Sequence, residues 1–153
     1  MNGKEAVFAL AYRFGDCEPH VLRGETDRPP RHRGARQGLE IGTGLGCQTA
    51  ILAGLAAQVF SVEIIEELAR EGERRLRAMG CDNVQLRVGD GSRGWAEHAP
   101  FDKIIVTAAP KVIPQRLLEQ LKVGGRMVLP AGLEGKQSLS VVEKGNDRKL
   151  PAS

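Results

Sequence analysis

The run Leu39-Glu40-Ile41-Gly42-Thr43-Gly44-Leu45-Gly46 is the densest concentration of chemistry in the chain. An acid sits in an apolar, strand-like stretch. Three glycines follow it at alternate positions, and a helix-compatible segment follows them. Glycine permits positive φ and lets a ligand approach the backbone closely. A helix starting behind such a turn points its free N–H groups back at the turn. The pattern is that of a loop for a nucleotide-type ligand, and Glu40 makes its surroundings negative. A negative loop suits a cationic ligand and repels a pyrophosphate. Two more acids fall where the same ligand can reach them. Glu63 ends a second apolar run about 20 residues beyond the loop, the distance at which an acid meets a ribose. Asp90 lies in Gly89-Asp90-Gly91, after a third run. Each has a plainer explanation: a ligand-free turn, a helix-capping acid, an ordinary Asp-Gly turn. Their joint spacing favours one shared ligand.

The glycine spacing separates two cofactor classes. Dinucleotide sites read G-x-G-x-x-G, and Gly42 and Gly44 fit that pattern, but position 47 is Cys. The observed G-x-G-x-G with a preceding acid resembles motif I of the S-adenosylmethionine-dependent methyltransferases. That resemblance implies S-adenosyl-L-methionine as cofactor, Glu63 on its ribose and Asp90, flanked by Gly91, at its adenine amino group. It also implies that Thr107-Ala108-Ala109-Pro110, ending a fourth apolar run, faces the transferred methyl group. The polar-Pro-Pro-aromatic motif of many nucleic-acid base methyltransferases does not stand there. The expected cofactor-binding residues are Glu40, Gly42, Thr43, Gly44, Gly46, Glu63, Asp90, Gly91 and Thr107; no catalytic residue is assigned. Trp95 is expected to be buried, and His98 to be a solvated loop residue.

With 153 residues, the chain has the length of one domain. Aromatics make up only 4%, so its core must rest on Leu, Val, Ile and Ala. A net charge of +3 is too small to argue for nucleic acid. Cys17, Cys47 and Cys81 show neither a disulfide framework nor zinc-ligand spacing, and His20, His32 and His98 are scattered. The expectation is a reduced, cytoplasmic monomer without metal or membrane span.

From residue 37 onward, apolar runs alternate with amphipathic stretches. Strands are predicted over Gln37–Ile41, Gln58–Glu63, Val84–Val88, Phe101–Thr107, Arg126–Pro130 and Gln137–Lys144. Helices are predicted over Gln48–Ala57, Glu66–Met79 and Pro114–Lys122, with a Gly124-Gly125 turn after the last. This alternation means βαβ units with right-handed crossovers. The expected fold is a three-layer, Rossmann-like α/β fold with an open, mainly parallel sheet, incomplete at its C-terminal edge. Residues 1–36 stand apart. Their Arg- and Pro-rich part, RGETDRPPRHRGAR, has little to bury and is expected to be poorly ordered.

Together, LEIGTGLGCQTAILA, VFSVEI, NVQLRVGDGSRGW, APFDKIIVTAAP, IPQRLLEQLKVGGRMVLPAG and QSLSVVEKG resemble the protein-L-isoaspartate O-methyltransferases over about residues 38–146. The resemblance implies methyl transfer to the abnormal carboxylate of isoaspartyl residues in damaged proteins, a repair reaction. A carboxylate is already nucleophilic at neutral pH, so the lack of an evident general base agrees with this chemistry. The sequence departs from the family upstream. The family's Gly-x-Gly-x-Thr-Ile-Ser-x-Pro segment is missing, and Gly15-Asp16-Cys17-Glu18-Pro19-His20 stands in its place. One synonymous back-translation of Ala11–His20, read one base later, spells Pro-Ile-Gly-Ser-Gly-Thr-Val-Ser-Pro. An altered reading frame is therefore expected there. The family's last strand is expected to have no counterpart up to Ser153. Two alternatives follow from these departures: a cofactor-binding remnant without turnover, and a methyltransferase for another substrate.

Overall fold

The computed structural model describes residues 36–107, 112–131 and 138–146. The N-terminal expectations on residues 1–35 lie outside them. In chain order the elements are β1 (Gln37–Ile41), α1 (Cys47–Leu55), β2 (Gln58–Glu63), α2 (Glu66–Ala78) and β3 (Val84–Val88). Two single 3₁₀ turns follow, Gly91–Arg93 and Ala96–His98. Then come β4 (Phe101–Val106), α3 (Gln115–Gln120), β5 (Leu121–Ala131) and β6 (Ser138–Glu143).

The six strands form one sheet in the order β3-β2-β1-β4-β5-β6. All neighbours are parallel except the β5/β6 pair. The chain steps outward from β1 to β3, then crosses back to lay β4 on the other side of β1. Right-handed crossovers therefore place α1 and α2 on one face and α3 on the other, giving three layers. β1 and β4 meet where the winding reverses, and in open α/β sheets the crevice beyond the strand ends at such a point takes the ligand.

The burial explains why the central strands read as apolar runs. Five successive residues of β2, from Val59 to Glu63, are buried, as a parallel strand covered on both faces requires. Leu39, Phe60, Val62, Phe101, Ile104, Val106, Leu117, Leu118, Leu121, Met127, Leu129 and Val142 form one core cluster. The helix α2 carries Glu66–Arg70, Glu71–Arg75 and Glu73–Arg77 pairs on its outer side and buries Ala69, Gly72 and Leu76.

Several boundaries shift by one or two residues, and the largest difference from expectation lies between α3 and β5. The helix predicted to reach Lys122 stops at Gln120, and β5 starts at once and runs through Gly124-Gly125. Lys144 explains both facts. Its ammonium donates to the carbonyls of Leu118, Glu119 and Leu121, closing the helix end. Its backbone pairs with Gly124 and Gly125, holding them to the sheet. The β4/β5 register shifts between Phe101 and Lys103, and this absorbs the extra residues.

Candidate functional site

The glycine loop adopts the backbone its composition demands. Gly42, Gly44 and Gly46 have φ of 99°, 55° and 86°, a region that side-chain-bearing residues rarely occupy. Each glycine also has its own surroundings. A Cβ on Gly42 would lie 2.0 Å from Thr107 Oγ1. A Cβ on Gly46 would come within 3.2 Å of the Gly72 carbonyl of α2, whereas one on Gly44 would meet nothing within 4 Å. The loop is thus pinned at both ends and open at its middle glycine, where a ligand can lie on the backbone. Gly46 caps α1 without a side-chain bond to its first turn, and that turn holds no acid.

Thr107, just beyond β4, holds the loop from below. Its backbone N–H and its hydroxyl both donate to the Ile41 carbonyl, at 3.0 and 2.9 Å. The hydroxyl also lies 3.3 Å from the Gly42 carbonyl. Gly42 N–H in turn donates to the Val62 carbonyl of β2. Residues 108–110, expected beside the methyl group, lie outside the described residues.

Glu40 is 0% exposed. Its Oε1 accepts from Thr49 Oγ1 of α1 and from Ser61 Oγ of β2, the latter at 2.6 Å. Ser61 Oγ also lies 2.6 Å from Thr43 Oγ1. A hydroxyl has one proton, so Ser61 gives its own to Glu40 and receives that of Thr43. This chain of hydroxyls ties the loop to the strand beneath it. Glu40 Oε2 is buried with no hydrogen-bond partner. Burial pushes the Glu40 carboxyl up to about 7, against the pull of the Ser61 and Thr49 hydroxyls and with a further upward push from Glu63.

Glu63 ends β2 with 6% exposure, and its Oε2 takes the Gly44 N–H at a long 3.5 Å. Its carboxylate therefore lies against the open glycine of the loop, with spare acceptor capacity. Asp90 is exposed past β3. It accepts from the N–H and hydroxyl of Ser92, and these bonds hold its carboxyl below the ordinary range. Gly91 puts this turn on the end of β1, since a Cβ there would fall 2.2 Å from Ile41 Cγ2. Three strand ends, those of β1, β2 and β3, thus bring the glycine loop, Glu63 and Asp90 to one rim, with Glu40 buried beneath it and Thr107 past the end of β4.

Of the two expectations about aromatic residues, one agrees with the structure and one does not. Trp95 is half-buried against Phe60 and under the Arg87 guanidinium, in line with a packing role. His98 is not a solvated loop residue. Its ring stacks on Phe60 at 4.2 Å and meets Trp95, because the second 3₁₀ turn folds back over β2.

Several contributing residues escaped the sequence reading. Ser61 and Thr49 carry the hydroxyls under the loop. Gly72 lets α2 approach, as a Cβ there would lie 3.0 Å from the Gly44 carbonyl. The available signals were a polar residue inside an apolar strand and a glycine inside a charged helix. Among the described residues no group of three or more His, Cys, Asp or Glu could hold a metal ion, and no helix is long and apolar enough to cross a membrane.

Comparison with known proteins gives one consistent result. The family model for protein-L-isoaspartate(D-aspartate) O-methyltransferase matches residues 32–152. Protein-L-isoaspartate O-methyltransferase 1 of a Polaromonas species is 61% identical over 106 residues, which cover 69% of this chain and 45% of that protein. The enzyme of that name from an Anaeromyxobacter species is 50% identical over 143 residues, covering 91% of this chain and 67% of its own. A solved protein-L-isoaspartate O-methyltransferase superposes with a TM-score of 0.72 at 26% identity, covering 93% of this chain and 42% of that one. A Plasmodium falciparum structure described as a putative member in complex with S-adenosyl-L-homocysteine shares the fold, with a TM-score of 0.64 at 18% identity, over 92% of this chain and 66% of its own. The chain spans about half the length of the first relatives it matches, 45%, 62% and 47%. With a family match over most of its length and the same fold, the chain belongs to the protein-L-isoaspartate(D-aspartate) O-methyltransferase family.

Proposed function

We propose that this chain binds S-adenosyl-L-methionine and methylates the carboxylate of L-isoaspartyl residues in damaged proteins. One observation carries the reading: a loop of three positive-φ glycines, open at Gly44, with the Glu63 carboxylate lying against it. When bound, the cofactor supplies an electrophilic methyl group on a positively charged sulfur.

The residues divide the work by chemistry. Gly42, Gly44 and Gly46 hold the methionine part against the backbone, with Thr43 anchoring the loop to Ser61. Glu63 accepts the ribose hydroxyls, and Asp90, seated by Gly91, accepts from the adenine amino group. Glu40 supplies negative charge beneath the cationic end, and Thr107 braces Gly42. No residue needs to remove a proton from the substrate, because the isoaspartyl carboxylate is ionised at neutral pH. The contribution of the protein is alignment and exclusion of water. The partner is an isoaspartyl peptide or protein, and the reading includes a monomer acting in the cytoplasm.

Cofactor binding without turnover is the competing reading, since the geometry around Gly44 and Glu63 concerns the cofactor alone. Transfer of labelled methyl from S-adenosyl-L-methionine to an isoaspartyl peptide separates the two, with the aspartyl peptide as control. Labelling of the isoaspartyl peptide alone supports repair. A folded chain that binds the cofactor and labels neither peptide supports binding without turnover.

A further inference from the structure

Asp90 is exposed, and its side-chain bonds reach only as far as Ser92, with its carbonyl accepting from the Arg93 N–H. What keeps its turn in place comes from further along the segment. Gln120, the last residue of α3, is 8% exposed. Its amide spans Gly94 with both ends: Nε2 donates to the Arg93 carbonyl, and Oε1 accepts from the Trp95 N–H, each at 2.8 Å. From the other side, Arg87 Nη2 of β3 donates to the Gly94 carbonyl at 2.6 Å, with its guanidinium over the Trp95 ring. Two side chains thus take up backbone groups of three consecutive residues. Gly94 is required between them, since it has φ of 61° and a Cβ there would lie 2.2 Å from Gln120 Oε1. The clamp fastens the Asp90 turn to β3 on one side and to α3 on the opposite layer.

We propose that Gln120 and Arg87 are positioning residues that hold Asp90 where it recognises the exocyclic amino group of the cofactor's purine. The inference rests on the cofactor reading above and deepens it. Neither residue touches the ligand. They act by holding Asp90 in its binding geometry before the ligand arrives, so that binding does not have to order the turn.

The test measures binding of S-adenosylhomocysteine and of its inosine counterpart, in which an oxygen replaces the amino group, to the full chain. The unaltered chain is expected to prefer the adenosine form by at least about tenfold, the scale of one hydrogen bond to a charged acceptor. Gln120→Met fills the same space without the two bonds, and Arg87→Met removes the opposite contact from a partly exposed strand. Each should lower the preference by at least about threefold. Val142→Ala, a core truncation on β6, should leave it intact. Full preference in both clamp variants, or in Arg87→Met if Gln120→Met does not fold, overturns the proposal. So does an equal loss in Val142→Ala. An unaltered chain that binds neither compound overturns the cofactor reading instead, and one that binds both equally overturns the Asp90 assignment and the clamp proposal with it.

Discussion

Glu40→Gln should stabilise the chain at neutral and alkaline pH. The wild-type carboxyl is fully buried, its Oε2 has no partner, and burial raises it from 4.5 to about 7. Between those values the folded protein holds a proton that the unfolded chain has released. Stability therefore falls as pH rises through this window, and the wild type is most favoured below 4.5. At about 1.4 kcal/mol per pH unit, a window of roughly two and a half units amounts to ~3 kcal/mol. Glutamine resembles the protonated acid: its carbonyl can still accept from Ser61 and Thr49, and it carries no charge at any pH. Urea unfolding of both proteins at half-unit steps from pH 4 to 8.5 gives the difference directly, and other titrating groups cancel to first order. The two should match near pH 4.5, with the variant ahead by about 3 kcal/mol at pH 8. A difference that stays flat across pH 4.5–7 would refute the argument from desolvation. The same charge has a second consequence. A cationic ligand favours ionised Glu40, so affinity for S-adenosyl-L-methionine should rise with pH through about 7 in the wild type and not in Glu40→Gln.

Other substitutions probe the loop and its supports. Gly42→Ala places a methyl 2.0 Å from Thr107 Oγ1 at φ 99°; cofactor binding should be lost and stability should drop by about 1–3 kcal/mol, and calorimetry showing wild-type affinity would contradict this. Glu63→Ala should weaken cofactor binding by about 1.5–3 kcal/mol, and an unchanged dissociation constant would remove the ribose assignment. Lys144→Met deprives three carbonyls at the end of α3 of their charged donor. A loss of about 1.5–3 kcal/mol in urea unfolding is expected, and an unmoved midpoint would show that water replaces the ammonium without cost.

The legible parts of this protein are those encoded by local pattern. Buried parallel strands are apolar runs, so β1 and β2 have the boundaries read from the chain. The helix α2 was legible from its charged face and the Gly80 stop. The less legible parts depend on residues far away in sequence. The end of α3 and the start of β5 are set by Lys144, more than 20 positions on, and no local signal at Leu121 carries that information. His98 looked like a surface residue until the 3₁₀ turn laid it on Phe60.

The same division holds at the candidate site. The residue types alone determined a glycine loop of this spacing with acids after the next two strands, because only glycine tolerates those φ values and a carboxylate is chemically suited to ribose and amino groups. They determined the family as well. Only the tertiary structure decided what each group faces. Stacking β2 beside β1 brings Ser61 to Glu40, and the packing of α2 puts Gly72 against Gly44. The return of α3 to the sheet sets Gln120 astride Gly94. Those contacts join positions 20 to 30 residues apart through burial and hydrogen bonding, and burial, unlike spacing, exists only once the sheet has assembled.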